Sequence, residues 1–341
     1  MVTIDGSVGE GGGQVLRTAL TLSVATGTAL RVHRIRAGRP KPGLLRQHLA
    51  AVRAAAMVSD AAVEGAELRS AQIVFRPRCI RAGSYRFDVG SAGSAMLVLQ
   101  TVLPPLLLAA APSHLVIEGG THNPLAPPFE FVAGAFLPVL RRMGPRISVH
   151  LDRWGFYPAG GGELTVDIRP AEGLRPIDLL ERGALRATRG RAIVANLPTH
   201  IAQRELRVVR QRLGWPEACL QVEVARGVHG PGNVLLLEIE SAHVTEVFSG
   251  FGERHVAAET VAERAVAEVQ RYLAAGVPVG AHLADQLLVP FALAGGGAFR
   301  TLALSRHATT NLDVIRAFLR VDVRTRQEAA DAVRVEIRAS E

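Results

Sequence analysis

Short strand-like and helix-like segments alternate through the N-terminal half of the 341-residue chain, and this alternation limits the fold more than any other feature. Strands are predicted at Val2–Ile4, Ala29–Ile35, Tyr85–Val89, His114–Glu118, Arg146–Leu151 and Glu163–Ile168. Helices are predicted between them at Gln14–Ala25, Leu44–Val58, Gly93–Leu108 and Phe129–Met143. Glycine clusters recur at turns, at Gly9–Gly13, Gly160–Gly162 and Gly295–Gly297. The pattern predicts an α+β fold built from a repeated unit.

The order of predicted strands and helices changes near Glu181. Leu185–Leu197 and Leu220–Glu240 are strand-rich around a helix predicted at Ile201–Leu213, and His255–Leu273 has the pattern of a long amphipathic helix. We therefore predict that residues 182–276 form an inserted smaller domain, and that residues 1–181 and 277–341 form the large domain.

The composition is that of a soluble globular protein, because 48% of the residues are hydrophobic and 21% are charged. Apolar runs such as Leu97–Ala111, broken by Pro104 and Pro105, are too short to span a bilayer. The strand-like start at Val2–Ile4 predicts no signal peptide. Two cysteines with no zinc-site spacing fit a reducing compartment, so we expect a cytoplasmic protein that is not membrane-bound.

The net charge of +8 favours polyanionic partners such as nucleic acid or nucleotide. An arginine bias without functional meaning would give the same charge. Lys41 is the only lysine, and it lies between two prolines, which disfavours nucleotidyl transfer through a lysine nucleophile. Phosphate binding would fall to arginines, whose planar guanidinium contacts phosphate with two parallel hydrogen bonds.

The run Gly9-Glu10-Gly11-Gly12-Gly13-Gln14 leads directly into a predicted helix. Glycines let backbone N–H groups approach a phosphate, and the start of a helix favours negative charge. The run lacks the Lys-Ser/Thr ending of a P-loop and is not the dinucleotide fingerprint. Glu10 would repel phosphate unless a divalent cation lies between them. The alternatives are a phosphate-binding loop and a tight turn with a solvated glutamate.

Three cations, Arg36, Arg39 and Lys41, occupy a loop that Pro40 and Pro42 stiffen. Prolines lower the entropy of the loop, so the cations are partly pre-organised. Such a loop fits a clamp on a terminal phosphate or on an RNA backbone. A solvated basic loop is compatible with the same pattern.

Two further segments have residues suited to holding adenine. The rigid segment 123–131 opens a helix and carries two aromatic residues, Phe129 and Phe131, that look exposed, although a buried helix start is the commoner explanation. Residues 282–286 begin another helix, where Asp285 and Gln286 could hydrogen-bond a ribose or adenine. A helix-capping aspartate is the alternative there.

His307 is the candidate nucleophile. It lies between a strand predicted at Phe299–Leu304 and a helix predicted to begin near Thr309, where an exposed side chain could be held. A neutral imidazole can attack phosphorus to give a labile phosphoramidate. Spacing alone does not separate His307 from His282.

Taken together, these segments resemble the RNA 3′-terminal phosphate cyclase family. The matching stretches follow the family order across nearly the whole chain, at Asp5–Arg17, Ile35–His48, Gly90–Ser94, Leu99–Pro104, Gly119–Thr121, Asn123–Pro124, Gly155–Gly162, Leu283–Gln286 and the segment around His307. Because the order is shared, the resemblance is more specific than any single motif.

The resemblance implies repeated units of two helices on a four-stranded sheet, like the C-terminal domain of a bacterial translation initiation factor. It also implies an inserted smaller domain of thioredoxin-like topology. The implied activity is ATP-dependent conversion of an RNA 3′-phosphate to a 2′,3′-cyclic phosphate, through a covalent histidine–AMP and then an RNA-(3′)pp(5′)A intermediate. The implied partners are ATP as co-substrate, a divalent metal (Mg or Mn) and RNA with a 3′-phosphate end; a homodimer is also considered.

The resemblance implies a role for each matching residue. His307 is the implied nucleophile and Glu10 the implied metal ligand. The implied RNA and phosphate contacts are Gln14, Arg17, Arg36, Arg39 and Gln47. The implied ATP or AMP contacts are Gln100, Pro127, Phe131, His282, Leu283, Ala284, Asp285 and Gln286.

Two positions depart from the family pattern. His282 stands where some relatives have tyrosine, which places a second histidine near the expected site. His122 stands where an acidic residue would be expected before Asn123-Pro124. Neither departure changes His307.

Two other classes of protein compete with this interpretation. A non-catalytic relative acting as a binding module in ribosome assembly would lack the histidine nucleophile, which this chain keeps together with Glu10 and the arginines. A carboxyvinyl transferase of similar repeated architecture would not need an adenylate-forming histidine, and the basic loop argues against it.

Overall fold

Residues 1–340 are described by a computed structural model, and they form an α+β structure with four four-stranded sheets. The first sheet has the strand order β1-β2-β4-β3, with β1 parallel to β2 and the other neighbours antiparallel. Its elements are β1 (Val2–Asp5), α1 (Gly13–Thr26), β2 (Leu30–His33), α2 (Arg46–Ser59), β3 (Ala62–Glu64) and β4 (Ile73–Arg76).

The second sheet repeats this topology, with the order β5-β6-β8-β7 and β5 parallel to β6. Its second helical region contains a π-helical segment, Val132–Phe136, between two short α-helices. The elements are β5 (Ser84–Asp88), α3 (Ala95–Leu106), β6 (Ser113–Gly119), α4 (Phe129–Phe131), α5 (Leu137–Arg142), β7 (Arg146–Arg153) and β8 (Gly162–Arg169).

A third unit starts with the short strand β9 (Asp178–Leu179) and is then interrupted by a sheet of its own, ordered β11-β10-β12-β13. The interrupting elements are β10 (Leu185–Ala195), α6 (His200–Leu213), β11 (Leu220–Val224), β12 (Gly232–Ser241), β13 (Thr245–Phe251) and α7 (Ala258–Ala275). The third unit then resumes with α8 (Ala281–Leu293), β14 (Gly296–Thr301), α9 (Arg306–Phe318), β15 (Val321–Ala329) and β16 (Ala332–Ala339).

The interrupted third unit has the same topology as the other two. Its sheet is ordered β15-β16-β14-β9, with β9 parallel to β14 and the remaining pairs antiparallel. The interrupting sheet has a separate core between its strands and the helices α6 and α7, in which Val209, Leu237 and Tyr272 are buried. The assignment of residues 182–276 to an inserted domain stays a proposal, and this separate core supports it.

The helices of the three repeated units pack against one another. Helix α1 contacts α2, α3 and α9, and α8 contacts α9. Helix α1 buries Leu16, Leu20 and Leu22 in this shared core and ends at Gly27, whose φ of 65° suits glycine. This packing brings the starts of α1 and α9 together, although they are far apart in sequence.

Several predicted boundaries change in the structure. Helix α9 begins at Arg306 rather than near Thr309, because the Ser305 side chain caps it by accepting the Ala308 N–H at 2.9 Å. The strand-rich segment predicted at Leu220–Glu240 is two strands, β11 and β12, separated by a loop. The hairpin β3–β4 was not predicted, since its strands are only 3 and 4 residues long. No helix within residues 1–340 combines the length and apolar character needed to cross a membrane.

A buried carboxyl group lies where the interrupting sheet meets α8. Glu246 on β13 accepts a hydrogen bond from the backbone N–H of Gly280, the residue that precedes α8. Burial raises the pKa of Glu246 to about 8, from an ordinary value of 4.5, despite hydrogen bonds from Gly280 and Val247. The carboxyl group is therefore protonated in the folded protein at neutral pH.

Because this pKa is raised on folding, the stabilisation is complete below pH 4.5 and is lost as the pH rises toward about 8. We expect Glu246→Gln, which keeps the acceptor oxygen, to flatten that decline and to raise the free energy of unfolding at pH 8 by a few kcal/mol, at about 1.4 kcal/mol per pKa unit. Thermal unfolding of the wild type and Glu246→Gln at pH 5 and pH 8 measures this difference in stability. Glu172→Gln, at an exposed site, is the control. Equal pH dependence in wild type and Glu246→Gln would contradict this assignment.

Candidate active site

The glycine-rich loop between β1 and α1 is bound directly to α9. Gly9 has a φ of 66°, and a Cβ at this position would lie 2.3 Å from Thr310 Oγ1, so only glycine fits. The backbone N–H of Glu10 donates to Thr310 Oγ1 at 3.0 Å. The loop is thus fixed against the first turn of the helix that carries His307.

Helices α1, α8 and α9 are tied together beneath this loop. Ser305, which caps α9, donates its hydroxyl to the carboxylate of Asp285 on α8 at 2.7 Å. The Asn311 amide donates to the Asp285 carbonyl at 3.2 Å and accepts from Thr18 of α1 at 2.7 Å. Burial raises the pKa of Asp285, opposed by Ser305, His307 and His282. Asp285 therefore positions the start of α9, and it does not cap its own helix, because the N-cap of α8 is Gly280.

His307 is exposed in the first turn of α9, and its Nδ1 is hydrogen-bonded to Gln14 Oε1 of α1. An amide oxygen only accepts hydrogen bonds, so Nδ1 carries the proton in the neutral ring. The lone pair then lies on Nε2, which is the atom free to attack an electrophile. Gln14 thus fixes both the ring orientation and the tautomer.

The start of α1 is open to an anion. Its N-cap, Gly12, has no side chain to satisfy the first N–H groups of the helix. A Cβ at Gly13 would lie 2.5 Å from His48 Nε2 and 2.7 Å from Arg17 Nη1, so both side chains reach this helix end. Burial lowers the pKa of Arg17 to about 10, with Glu10 opposing, and the guanidinium is still charged at neutral pH. Free backbone N–H groups, a helix terminus and a half-buried cation together favour phosphate.

His48 was not assigned a role by the sequence analysis. It is buried, and its Nδ1 accepts the backbone N–H of Leu45 at 3.1 Å. Burial, then Arg17 and Arg36, lower its pKa to about 3, so the ring is neutral at physiological pH. Since Nδ1 accepts, Nε2 carries the hydrogen and is a neutral donor beside Arg17. Its place directly after Gln47 in the basic segment was the only sequence signal.

The basic loop and the glycine-rich loop are joined by an ion pair. Arg39 forms a hydrogen-bonded ion pair with the Glu10 carboxylate and donates to the Glu10 carbonyl at 2.9 Å. The same carboxylate accepts the Gly12 N–H at 2.8 Å. Arg36 instead holds its own loop, donating to the carbonyls of Lys41 and Gly43. Arg39 and Glu10 therefore lie together, Arg36 holds the basic loop, and the phosphate and metal roles of these residues stay predictions.

Two glutamines connect neighbouring helices at the site. Gln47 Oε1 accepts the Ser94 N–H at 2.9 Å and so links the first turn of α2 to the start of α3. Gln100 of α3 donates to Gln286 of α8. The predicted polar residues therefore line adjacent helices of all three repeated units.

The predicted adenine contacts divide into accessible and buried residues. Pro127 and Gln286 are half-buried, whereas Phe131 is only 3% exposed, which agrees with the alternative of a buried helix start. Leu283 and Ala284 pack in the core and could reach a nucleotide only through their backbone. His282 is exposed, with Nε2 at 3.9 Å from Glu268 of α7. The part that these residues play in nucleotide binding stays a prediction.

His122, which departs from the family pattern, is part of a buried network. Its ring stacks against both Trp154 and Phe156, with centroid distances of 4.7 and 5.1 Å, and its Nε2 is 2.8 Å from Glu130. Glu130 also lies 3.5 Å from Arg191 of β10. Although burial raises the pKa of Glu130, His122 and Arg191 lower it below its ordinary value. His122 thus joins the second repeated unit to the interrupting sheet.

A divalent metal has one candidate ligand here. Within residues 1–340, no three histidine, cysteine, aspartate or glutamate side chains are grouped to hold a metal ion. Magnesium often binds proteins through one or two carboxylates and completes its shell with phosphate oxygens and water. Glu10 fits that pattern if Arg39 releases it to contact phosphate. The residues therefore fit a metal that binds together with a nucleotide.

Comparisons with known proteins agree on one family. A model of the family described as RNA 3′-terminal phosphate cyclase matches residues 8–325. The chain is 52% identical to an RNA 3′-terminal phosphate cyclase from Pseudomonas fluorescens, over 99% of this chain and 98% of that protein. It is 49% identical to one from Koribacter versatilis, over 96% and 92% of the two chains. It is 51% identical to one from Ralstonia nicotianae, over 98% and 97%.

Proposed function

Because the chain belongs to the RNA 3′-terminal phosphate cyclase family, we propose that it uses ATP to convert an RNA 3′-phosphate into a 2′,3′-cyclic phosphate. The observation that carries the proposal is the hydrogen bond between His307 and Gln14, which holds a nucleophilic Nε2 beside the open start of α1. The net reaction consumes ATP and the 3′-phosphate end and releases AMP and pyrophosphate.

In the first step, His307 Nε2 attacks the α-phosphorus of ATP. A phosphorus–nitrogen bond forms, the bond to the β-phosphate oxygen breaks, and pyrophosphate leaves. The Gln14 amide oxygen, hydrogen-bonded to Nδ1–H, stabilises the positive charge that develops on the ring. A metal held by Glu10 would offset negative charge on the phosphates of bound ATP.

In the second step, an oxygen of the RNA 3′-phosphate displaces His307 from phosphorus and gives RNA-(3′)pp(5′)A. Arg17, the neutral His48 Nε2–H and the first N–H groups of α1 form the proposed site for this phosphate. Arg39 can join them by exchanging Glu10 for phosphate, since its side chain is 41% exposed. His48 adds a hydrogen bond there without adding charge.

In the third step, the vicinal 2′-OH attacks the 3′-phosphorus and AMP leaves. The hydroxyl is already held next to phosphorus by the ribose, so ring closure gains from proximity. AMP is a far better leaving group than an oxide ion, which is the chemical reason for using ATP. Gln100, Pro127, Phe131 and residues 282–286 are the proposed adenosine contacts.

The finer description of the fold belongs to the same proposal. Each repeated unit has helices packed against a sheet of order a-b-d-c, which supports units resembling the C-terminal domain of a translation initiation factor. The interrupting β-α-β-β-β-α segment supports the inserted smaller domain at residues 182–276. A homodimer and a cytoplasmic location stay predictions.

The test is cyclisation of an oligoribonucleotide that ends in a 3′-phosphate, with ATP and Mg²⁺ or Mn²⁺. We expect the end to become resistant to phosphatase and one AMP to form per end closed. The matched substrate with a 3′-OH end should yield no AMP. Ends that remain phosphatase-sensitive while AMP is absent would contradict the proposed function.

A further inference from the structure

Tyr157 is an exposed aromatic residue that the reaction steps above do not use. It is 61% exposed, and it is the one aromatic ring among the strongly exposed large apolar residues of residues 1–340. The preceding residue, Phe156, is 3% exposed and stacks on His122. The exposed ring offers a π-face on which a planar group can stack.

The backbone around Tyr157 is held rigidly. Its N–H donates to the His122 carbonyl at 3.3 Å, and the Gly160 N–H donates to the Phe156 carbonyl at 2.7 Å. The Gly155 carbonyl accepts the Thr121 N–H at 2.8 Å, and the Gly155 N–H donates to Thr121 Oγ1 at 2.9 Å. The ring is thus presented on an ordered loop, so a ligand that stacks on it pays little to order the backbone.

This loop lies between the proposed phosphate site and the interrupting sheet. On one side, a Cβ at Gly160 would lie 2.8 Å from the Ala92 Cα, and Ala92 belongs to the turn that Gln47 holds through Ser94. On the other side, a Cβ at Gly161 would lie 2.3 Å from the ring of His229. A molecule bound at the phosphate site can therefore extend past Tyr157 toward the loop 225–231.

The charge of this surface suits a polyanion. Arg226 and His229 are exposed in the loop 225–231, and Arg226 has no ion-pair partner in the part of the chain that the structure describes. Arg46, on the side of the phosphate site, is exposed and donates only to the Gly90 carbonyl at 3.3 Å. An aromatic ring between basic residues is how proteins bind single-stranded nucleic acid, with bases stacked on the ring and cations along the backbone.

We propose that Tyr157 stacks on a base next to the 3′ end of the RNA, and that Arg226 and His229 contact phosphates further along the strand. The inference rests on the proposed function, because that function supplies RNA as the occupant. Stacking tolerates any base, so this contact gives affinity for single-stranded ends without sequence preference. The strand then runs from the catalytic site across the second repeated unit onto the interrupting sheet.

The experiment measures cyclisation of a 3′-phosphate oligoribonucleotide by Tyr157→Ala and Tyr157→Phe. We expect Tyr157→Ala to raise the KM for RNA about tenfold, which corresponds to about 1.4 kcal/mol, with kcat changed little. Tyr157→Phe should keep the wild-type KM, since it keeps the ring. Met57→Ala, at a 50% exposed apolar residue on α2, is the control for losing surface side-chain area.

A second set of measurements uses substrates that lack the bases proposed to stack on Tyr157. An oligonucleotide with abasic residues at the two positions before the 3′ end should bind wild type and Tyr157→Ala equally, because nothing remains to stack. A mononucleoside 3′-phosphate should likewise show no difference. Persistence of the tenfold difference on the abasic substrate would overturn the stacking contact.

Self-adenylation with ATP alone separates this inference from the proposed function. The inference is supported if Tyr157→Ala is labelled with AMP at the wild-type rate but binds RNA weakly. Slower labelling would place the ring against ATP and overturn it, and an unchanged KM for RNA would overturn it as well. A wild-type protein that labels with AMP but closes no RNA end would instead contradict the proposed function.

Discussion

Replacing His307 with alanine should lower self-adenylation by more than about a thousandfold, because the variant has no nucleophile for the α-phosphorus. The measurement is incubation with α-labelled ATP and a divalent metal without RNA, followed by separation of protein from free nucleotide. Label on the wild type should be acid-labile and alkali-stable, as expected of a phosphoramidate. The removed side chain is exposed, so the fold should persist.

Two further variants make the His307 result specific. His282→Ala removes the other histidine that influences Asp285 and should keep most of the labelling, since its ring lies toward Glu268. Gln14→Ala should slow labelling by about a hundredfold through loss of ring orientation, without abolishing it. Label that survives in His307→Ala and disappears in His282→Ala would move the nucleophile to α8.

The third step gives an independent control on folding. Ring closure of a pre-formed RNA-(3′)pp(5′)A end needs the phosphate and ribose contacts but not the histidine nucleophile. We expect His307→Ala to close this substrate at a rate near that of the wild type. Failure on this substrate, with normal thermal unfolding, would mean that His307 acts in more than nucleotidyl transfer.

Local patterns predicted much of the fold, because they report on contacts that are near in sequence. The helix at Gln14–Ala25 was placed within one residue of α1 at each end, since its apolar periodicity and Gly27 are both local signals. Of the strands in the third repeated unit, only one was predicted, at Phe299–Leu304, which overlaps β14. Its strand β9 has two residues, and it pairs with β14 more than a hundred residues later, so no local window contains the signal.

The residues of the candidate site also divide into those predicted from local sequence and those that only long-range contacts reveal. Glu10, Arg39 and His307 carry recognisable chemistry in their own segments, and the structure brings them to the same region. His48 was missed because a buried histidine next to hydrophobic residues has the pattern of a core residue. Ser305, Thr310 and Asn311 were missed as well, since they bind other helices or the glycine-rich loop through contacts that span 20 to 300 residues of sequence.

Gly13→Ala should lower kcat/KM for RNA cyclisation by at least about a hundredfold. The added methyl group would lie 2.5 Å from His48 Nε2, and that ring cannot move easily, because it is buried and its Nδ1 is held by Leu45. The methyl group would therefore fill the space proposed for the RNA phosphate. Alanine is the better helix former by about 0.5–1 kcal/mol, which offsets part of the strain of this close contact.

The control is Gly173→Ala, where an added Cβ meets no atom within 4 Å. Both substitutions add the same methyl group, so a difference between them in kcat/KM reports on the space at Gly13 and not on glycine loss in general. Thermal unfolding of each protein separates a blocked site from a misfolded one. Wild-type cyclisation by Gly13→Ala would mean that the phosphate does not lie between His48 and Arg17. In that case Arg39 and the basic loop would have to hold the phosphate alone, and Arg39→Ala should then weaken RNA binding and make it less dependent on salt than in the wild type.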